Sequence, residues 1–433
     1  MIWDPYYECM DAEERSDLQV RRLRETVARL KVNVPWYRQR FAEKGIEPED
    51  IQSLDDLRHL PFTTKDDLRD TYPFGLFAVP PEECVRIHAS SGTTGKPVIA
   101  GYAREDIGIW AQTIARTIAC GGGTSHDVLH NAYGYGLFTG GLGLHYGGEL
   151  MGCLVIPVSG GNTERQLMLM EDLGSTIICC TPSYALTIVD QAEEFGFDLS
   201  RIKLKSGLFG AEPWSEGARE SIEERLGLSA HDIYGLTEII GPGVAAECEA
   251  KAGLHVFDDH FIPEIIDPET GEPLPPGQKG ELVFTCITKR AFPIIRFRTR
   301  DITRIDYEVC ECGRTQPRME RITGRTDDML IIRGVNVFPS QIEEVLLKIE
   351  EVEPHYQLVL TREGHMDNLE VQVEVSPGMF SDQVRKLEAI EEKIRERLVS
   401  ALGIRVDVKL VEPRTIERSI GKAKRVIDQR EEA

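Results

Sequence analysis

The chain has 433 residues, too many for one small core, so one large domain and at least one smaller domain are expected. Its 41% hydrophobic and 28% charged residues are typical of an ordinary soluble globular protein. The formal net charge of −22 argues against a nucleic acid or an anionic membrane surface as the main partner, although one local loop can still bind a phosphate group.

The N-terminal segment and the cysteines indicate a cytoplasmic protein. The first residues, MIWDPYYECMDAEERSD, are acidic and lack the apolar core of a signal peptide. No run of about eighteen apolar residues predicts a membrane span. The ten cysteines are scattered without a secretory context and are expected to be reduced.

Hydrophobic periodicity predicts mixed α/β layers in the first three hundred residues or so. Leu23, Val27 and Leu30 form one face of a helix that should end near Pro35. Further along, short apolar runs alternate with helical and glycine-rich segments, which indicates buried strands. These runs lie at 152–158, 175–180 and 205–210. A turn-rich start followed by a strand over 268–285 then indicates a β-rich subdomain.

The last part of the chain is predicted to be a small α/β domain. The polar run GRTDD at 324–328 marks a boundary at Asp327, between a large domain over 1–326 and a small one over 327–433. The first helix of the small domain is indicated by a capping box of Ser340 and Glu343. Its apolar stripe consists of Ile342, Val345, Leu346 and Ile349.

The stretch SSGTTGKP at 90–97 is typical of a phosphate-binding loop. Gly92 and Gly95 allow successive N–H groups to point at one anion, and Lys96 adds a positive charge. The spacing is not that of a Walker A loop, which has four residues between its glycines and a serine or threonine after the lysine. A plain surface turn is the alternative.

Three cysteines and one histidine predict a structural metal site. Cys248 and His255 are separated by six residues, and Cys310 and Cys312 lie in the turn-rich segment CECGR. Such a set suits tetrahedral Zn²⁺ in a reducing compartment. The alternative is four reduced side chains with no ligand in common.

Six segments together resemble the adenylate-forming enzymes, the superfamily of acyl-CoA synthetases. They are SSGTTGKP at 90–97, GAEPW at 210–214, YGLTE at 234–238, FRTRD at 297–301, GRTDDMLIIRG at 324–334 and SIGKAKR at 419–425. Within this superfamily, the segments SGTTGKP and IIRGVNVFPSQIEE and the short length of the chain, 433 residues, resemble the phenylacetate–CoA ligase family. The resemblance covers essentially the whole chain.

This resemblance implies a large N-terminal adenylate-forming (AMP-binding) domain and a small mobile C-terminal domain. It implies ATP-dependent ligation of phenylacetate, or a related aryl acid, to coenzyme A through an acyl-adenylate, with release of AMP and pyrophosphate. Mg²⁺ is the implied metal cofactor, and relatives suggest a homodimer.

The resemblance also implies roles for individual residues. The pyrophosphate side of ATP is assigned to Ser91, Gly92, Thr93, Thr94, Gly95 and Lys96, and the adenine to Gly210, Ala211, Glu212 and Pro213 with Asp232 and Tyr234. Thr237 would contact the α-phosphate, Glu238 the Mg²⁺ ion and Asp301 the ribose, with Arg325 assisting. FRTRD departs from the commoner YRTGD, and a salt bridge of Asp301 to the neighbouring arginines is the alternative.

The second group of implied roles concerns catalysis and the acyl substrate. Lys422 matches the catalytic lysine of adenylation, with Lys424 as the alternative and a solvated basic patch as the ordinary explanation of KAKR. Asp327 matches the hinge and Gly334 the pantetheine channel. The aromatic and glycine-rich run 131–147 suggests an acyl pocket, formed by Tyr135, Phe138, Gly235 and Pro242.

Three other functions stay open at this point. The acid could be benzoate-like or an indole-acetate, or AMP could be transferred to another acceptor, as in relatives that adenylylate a deazaflavin. A nucleotide-binding protein without turnover is the third. Retention of Thr237, Glu238, Asp301, Arg325 and Lys422 argues against the last.

Overall fold

The structure, a computed structural model, describes residues 1–90, 97–322, 324–325, 330–332, 335–349, 351–363, 366–375, 384–418 and 423–430. Among these residues, no helix combines the length and the apolar character that a membrane span requires. The predicted α/β class is confirmed.

The helices of the described residues are numbered in chain order. They are α1 (Pro5–Glu8), α2 (Ala12–Asn33), α3 (Pro35–Lys44), α4 (Lys65–Asp70), α5 (Arg104–Cys120), α6 (Gly140–Met151), α7 (Thr163–Asp172), α8 (Pro182–Phe195), α9 (Glu216–Leu226), α10 (Pro339–Leu346) and α11 (Val384–Leu402).

The strands are numbered in the same way. They are β1 (Cys84–Ala89), β2 (Ile99–Ala103), β3 (Val128–Asn131), β4 (Leu154–Ile156), β5 (Ile177–Cys180), β6 (Ser206–Gly210), β7 (Ser229–Leu236), β8 (Gly241–Glu247), β9 (Leu254–Val256), β10 (Phe261–Ile266), β11 (Gly280–Cys286), β12 (Phe297–Thr303), β13 (Ile305–Asp306), β14 (Arg318–Met319), β15 (Gly324–Arg325), β16 (Leu330–Ile332), β17 (Val335–Val337), β18 (Val352–Glu363), β19 (Met366–Val375), β20 (Asp407–Val411) and β21 (Val426–Asp428).

The chain forms two compact units. The first comprises Met1–Cys180, Ser200–Ala211 and Ser229–Arg321, and the second comprises Thr181–Leu199, Glu212–Leu228 and Ile322–Ala433. The second unit therefore includes α8 and α9 besides the C-terminal part of the chain. Asp327 lies outside the described residues, so the functional boundary there stays a prediction.

The first unit is built on a nine-stranded mixed sheet. Its strand order is β13-β14-β9-β8-β7-β6-β5-β3-β4. Strands β4, β3, β5, β6 and β7 are parallel neighbours, and β7, β8, β9, β14 and β13 pair antiparallel. The apolar runs at 175–180 and 205–210 contain β5 and β6, which are buried as predicted and as expected when helices cover both faces of a sheet. The prediction of a buried strand at 152–158 is wrong, because β4 lies at the edge of the sheet and Leu154 is 60% exposed.

The predicted β-rich subdomain is an antiparallel arrangement of β10, β11 and β12 in the same unit. A separate hairpin pairs β1 with β2. The N-terminal helix α2 has the predicted buried face, because Leu23, Val27 and Leu30 are fully buried and the helix ends at Asn33.

The C-terminal part of the second unit has a sheet of order β20-β19-β18-β21. Apolar side chains of α10, α11 and the sheet form one buried cluster that includes Ile342, Leu346, Leu358, Ile394 and Leu398. The predicted apolar stripe of α10 is therefore confirmed.

The predicted capping box of α10 is wrong. The helix begins at Pro339, so Ser340 already lies inside its first turn. The N–H of Phe338 instead donates to Oε1 of Gln341 at 3.0 Å, and Glu343 accepts a hydrogen bond from the Ser215 N–H. Proline suits the first helical position because it has no N–H to satisfy there.

Candidate active site

Strand β7 presents two of the predicted nucleotide residues. Asp232 and Tyr234 are two positions apart, so their side chains lie on the same face of the strand. The Tyr234 hydroxyl donates a 2.6 Å hydrogen bond to Oδ2 of Asp301, which lies in β12. Asp232 has its carboxylate 3.6 Å from Nε of Arg321. Two residues distant in sequence, Tyr234 and Asp301, are thus brought together as the resemblance implies.

The arginines around Asp301 have other carboxylate partners. Arg296 donates to both oxygens of Glu264, and Arg298 pairs with Glu281. Asp301 itself is 6% exposed and accepts from Tyr234. The contacts of Arg296 and Arg298 therefore do not support the salt-bridge explanation for Asp301.

The departure of FRTRD from the commoner motif has a conformational counterpart. Arg300, which stands where the commoner motif has glycine, has a φ of +69°. Side chains other than glycine seldom adopt this left-handed region. Arg300 therefore adopts a backbone conformation that glycine would adopt without strain.

Thr237 and Glu238 lie in the turn between β7 and β8. Both residues are only 6% exposed. A carboxylate oxygen of Glu238 lies 4.0 Å from Nζ of Lys65, the first residue of α4. Hard oxygen ligands suit Mg²⁺, so Glu238 offers one carboxylate donor for that ion. The sequence analysis did not single out Lys65, because nothing in the local pattern links it to YGLTE.

Three buried side chains hold the carbonyl groups that follow Glu238. Lys289 Nζ donates to the carbonyl of Ile239 at 2.9 Å, the Tyr102 hydroxyl to Ile240 at 2.9 Å, and Trp110 Nε1 to Pro242 at 2.8 Å. Burial lowers the pKa of Lys289 to about 8. We call these the three donors. Sequence reasoning missed all of them, since they lie 50 to 138 residues from the carbonyls they bind.

The predicted acyl-pocket aromatics lie against glycines at the start of α6. A Cβ atom on Gly140 would lie 2.6 Å from the Phe138 ring, and one on Gly141 would lie 2.9 Å from the Tyr135 ring. Such distances are far below ordinary carbon–carbon contact. Glycine at these two positions is therefore what allows the rings to approach the helix.

The same helix connects the aromatics with the turn after β7. A Cβ on Gly143 would lie 2.6 Å from the Trp110 ring and 2.9 Å from Pro242. Pro242 pairs in turn with Gly235 across β7 and β8. All four residues predicted for the acyl pocket are thus placed around the start of α6 and the adjoining hairpin.

Tyr135 is held by a chain of polar contacts. Its hydroxyl accepts from Nδ2 of Asn131 at 2.8 Å and lies 3.3 Å from Nδ1 of His145, whose Nε2 is 3.1 Å from Glu149. Burial raises the pKa of Tyr135 above its ordinary value, so the hydroxyl stays protonated at neutral pH.

The segment GAEP begins with two closely constrained residues. A Cβ on Gly210 would lie 2.2 Å from the carbonyl oxygen of Ile233. Ala211 has a φ of +71°, an unusual conformation for alanine. These features end β6 in a sharp turn at the residues predicted to lie beside adenine.

Three further predicted nucleotide residues, Glu212, Pro213 and Arg325, belong to the second unit. Glu212 is half-buried, and its carboxylate accepts from the N–H groups of Ser183 and Ala423 at 2.8 and 2.9 Å. Pro213 is exposed, and Arg325 is half-buried in β15. The contact between Glu212 and Ala423, the residue that follows Lys422, was not predicted from the sequence.

Several predicted residues lie outside the described part of the chain. They are the loop 91–96, with Ser91, Gly92, Thr93, Thr94, Gly95 and Lys96, and also Asp327, Gly334 and Lys422. Their assignments rest on the sequence.

The predicted metal ligands converge in the first unit. The four ligand atoms of Cys248, His255, Cys310 and Cys312 all lie within 4.8 Å of one another. The sulfurs of Cys248 and Cys310 are 3.7 Å apart, and that of Cys312 is 3.4 Å from Nε2 of His255. Tetrahedral zinc with Zn–S of about 2.3 Å and Zn–N of about 2.0 Å puts such pairs roughly 3.8 and 3.5 Å apart. The donor set therefore fits Zn²⁺ in chemistry and in spacing.

Local structure explains how these ligands meet. His255 lies in β9 and pairs with Ala246 of β8, whose end precedes Cys248. Cys310 and Cys312 occupy a tight turn, in which the Gly313 N–H donates to the Cys310 carbonyl at 2.9 Å. Burial raises the pKa of a thiol, but hydrogen bonds from His255 and Arg314 lower that of Cys312 to about 5.

Comparison with known protein families gives two matches. Residues 13–286 match the family described as AMP-binding enzyme, and residues 334–430 match the AMP-binding enzyme C-terminal domain.

Curated relatives match over almost the whole chain. A phenylacetate-coenzyme A ligase of Thermus thermophilus is 50% identical, covering 99% of this chain and 100% of the relative. The enzyme of the same name from Escherichia coli is 51% identical over 98% of this chain and 97% of its own.

Among solved structures, 2-hydroxyisobutyryl-CoA ligase in the postadenylation state, in complex with 2-HIB-AMP, is 31% identical. It matches with a TM-score of 0.94, covering 99% of this chain and 93% of its own.

Proposed function

Since the chain belongs to the phenylacetate–CoA ligase family of AMP-binding enzymes, we propose that its acid substrate is phenylacetate or a closely related aryl acid. The chain is an acid–thiol ligase, which joins a carboxylic acid to coenzyme A at the expense of ATP through an acyl-adenylate.

The reaction has two steps. The carboxylate attacks the α-phosphorus of ATP, forming a mixed anhydride and releasing pyrophosphate; the CoA thiol then attacks the acyl carbon and AMP leaves with the anhydride electrons. The carboxylate is activated in this way because AMP is a far better leaving group than an oxide ion. Both steps develop charge that positioned donors and cations must stabilise.

Nucleotide binding is assigned to individual residues by their motifs. Asp301 would accept the ribose hydroxyls while Tyr234 fixes its carboxylate, as their 2.6 Å hydrogen bond supports. Gly210, Ala211, Glu212, Pro213 and Asp232 would bind on the adenine side, with Arg325 assisting at the ribose or phosphates. Ser91–Lys96 would hold the pyrophosphate.

Thr237 and Glu238 would act at the reacting phosphate. The Thr237 hydroxyl would donate to the α-phosphate, and the Glu238 carboxylate would hold Mg²⁺. When bound, Mg²⁺ offsets negative charge on the phosphates. Lys422 would stabilise the charge on the α-phosphate and the attacking carboxylate, with Asp327 as the hinge of the C-terminal domain and Gly334 along the pantetheine channel.

The observation that carries the acid assignment is the start of α6. Its glycines seat Tyr135 and Phe138, and Gly143 lies against Pro242 in the hairpin that follows Thr237 and Glu238. Aromatic rings held in this way suit contact with the ring of an aryl acid.

Pyrophosphate release with ATP and Mg²⁺ tests this function across a panel of aryl and alkyl acids, with and without CoA. We expect the highest kcat/KM for phenylacetate and continued turnover only when CoA is present. A preference for a benzoate-like, indole-acetic or aliphatic acid would contradict the acid assignment. Release without any effect of CoA would point to another acceptor.

Zinc is proposed as a structural cofactor of the first unit. Cys248, Cys310 and Cys312 would supply thiolates and His255 its Nε2 atom, in the tetrahedral set described above. The ion would join the ends of β8 and β9 to the turn before β14, and so contributes to folding rather than to the reaction.

The setting of the enzyme is proposed from composition and relatives. The reduced thiols and the acidic chain suit a cytoplasmic enzyme acting on small molecules, with neither nucleic acid nor membrane as a partner. A homodimer is proposed from the resemblance alone, and light scattering of the purified chain tests it.

A further inference from the structure

The carboxylate of Glu212 joins two backbone N–H groups that are far apart in the sequence. Its Oε1 accepts from Ser183 at 2.8 Å and its Oε2 accepts from Ala423 at 2.9 Å. Ser183 lies in the first turn of α8, where N–H groups have no partner within the helix. The Ala423 N–H belongs to the peptide group that this residue shares with Lys422.

The residues after Ala423 have anchors of their own. The Leu358 N–H donates to the Arg425 carbonyl at 2.7 Å, where β21 begins to pair with β18. The Arg425 guanidinium donates to Glu343 at 3.3 Å and lies 4.3 Å from the centre of the Tyr356 ring. Position 425 thus has contacts besides its charge interaction with Glu212, whereas Ala423, the residue that follows Lys422, is hydrogen-bonded by Glu212 itself.

We propose that Glu212 is a positioning residue for adenylation, which holds Ala423, the residue that follows Lys422 in the chain, through its hydrogen bond to the Ala423 N–H. This inference rests on the proposed role of Lys422. It goes beyond the adenine-side role that the resemblance implies for Glu212, because the two carboxylate oxygens accept from backbone N–H groups of Ser183 and Ala423.

The chemistry of the contact supports a positioning role. A hydrogen bond to an ionised carboxylate is about twice as strong as a hydrogen bond between neutral groups. It can therefore offset the conformational entropy that is lost when the residue after Lys422 is held in one position. In the proposed mechanism Lys422 acts in adenylation and not in transfer to the thiol. Loss of this bond should therefore slow the first half-reaction and leave the second nearly unchanged.

Glu212→Ala and Glu212→Gln test the inference in the full-length enzyme. Adenylation is measured by exchange of labelled pyrophosphate into ATP with the preferred acid, and transfer by thioester formation from the preformed acyl-adenylate and CoA. We expect Glu212→Ala to lower the exchange kcat about 10- to 100-fold. Transfer and the KM for ATP should stay within roughly threefold of wild type.

The amide variant separates charge from shape. Glu212→Gln keeps an acceptor oxygen of the same reach but loses the charge, so its exchange rate should lie between those of wild type and Glu212→Ala. Glu194→Gln is the matched control, because Glu194 also joins α8 to a C-terminal residue, but its partner is the exposed side chain of Arg414 and not the Ala423 N–H. Its exchange rate should equal that of wild type.

Three results would overturn the inference. Equal losses in both half-reactions would mean that Glu212 only stabilises the fold, and a raised KM for ATP with normal kcat would favour the adenine contact. An unchanged exchange rate in Glu212→Ala would exclude positioning altogether. Wild-type enzyme without exchange, or Lys422→Ala with full exchange, would instead refute the proposed function and this inference with it.

Discussion

The hydroxyl of Tyr234 donates a 2.6 Å hydrogen bond to Asp301, and so joins β7 to β12 within the first unit. The bond orients a nearly buried carboxylate, which is proposed to accept the ribose hydroxyls of ATP. A hydrogen bond from a hydroxyl to a charged carboxylate is stronger than a hydrogen bond between two neutral groups.

Tyr234→Phe should therefore weaken ATP binding. The ring and its packing near Phe284 are kept, while the loss of the hydrogen bond should cost about 1–2 kcal/mol, or roughly a 5- to 30-fold rise in KM for ATP. The KM for ATP is measured by steady-state kinetics at saturating acid and CoA. Tyr307→Phe, at an exposed tyrosine of the same unit, serves as control, and an unchanged KM in Tyr234→Phe would remove Asp301 from the ribose role.

Trp110→Phe should weaken binding of the acid rather than of ATP. The variant keeps a ring stacked on Tyr102 but loses the donor to the Pro242 carbonyl, at the edge of the proposed acyl pocket. Loss of this bond should cost about 1 kcal/mol, or roughly a fivefold rise in KM for the acid.

The control for Trp110→Phe is Trp36→Phe, at a partly exposed ring that lies 4.0 Å from the guanidinium of Arg40. Both variants are assayed with the acid varied at saturating ATP. Equal effects on KM for ATP and for the acid would show that Trp110 supports the fold in general and not the acyl pocket.

Removal of zinc should lower the thermal stability of the enzyme more than it lowers the rate of the ligase reaction. The purified chain should hold about one zinc ion, as measured by elemental analysis, and Cys310→Ser should lose it. Because a structural zinc contributes several kcal/mol, Tm should fall by roughly 5 °C or more. Cys84→Ser, at a half-buried cysteine of the β1–β2 hairpin, should keep the metal. Full zinc content in Cys310→Ser would contradict the assigned ligand set.

Buried neutral histidine should make the fold sensitive to acid. Burial lowers the pKa of His130 from 6.5 to about 4, against the effect of its 3.0 Å contact with Gln166. The unfolded chain therefore takes up this proton at a higher pH than the folded chain does. The stability contributed by neutral His130 is complete above pH 6.5 and is lost as pH falls toward 4.

Denaturant unfolding of wild type and His130→Gln at several pH values measures this effect. The difference between the two curves removes the pH dependence that other titratable groups contribute to both proteins. One such group is Asp258: burial raises its pKa to about 7, so its contribution to stability changes with pH in the opposite direction. Wild type should lose roughly 3 kcal/mol more than the variant between pH 6.5 and 4. Parallel curves would show that His130 is not kept neutral by the fold.

Short-range patterns in the sequence determined the elements and the family. The periodicity of Leu23, Val27 and Leu30 is the buried face of α2, and the stripe of Ile342 and Leu346 is that of α10. These patterns are readable because a helix repeats over a few residues, whatever the remainder of the chain does. The ordered motifs likewise identified an adenylate-forming ligase, and the cysteine and histidine spacing identified the cluster of four ligands.

Only the tertiary structure decided which distant groups meet. The start of α10 was misplaced because Ser340 and Glu343 satisfy the capping pattern locally, while Glu343 is bound by Ser215, 128 residues away. The three donors and the contact of Glu212 with Ala423 join positions 50 to 211 residues apart, for which the sequence holds no periodic signal. Such pairs follow from the order and register of strands and helices, because side chains select partners that the completed fold brings within reach.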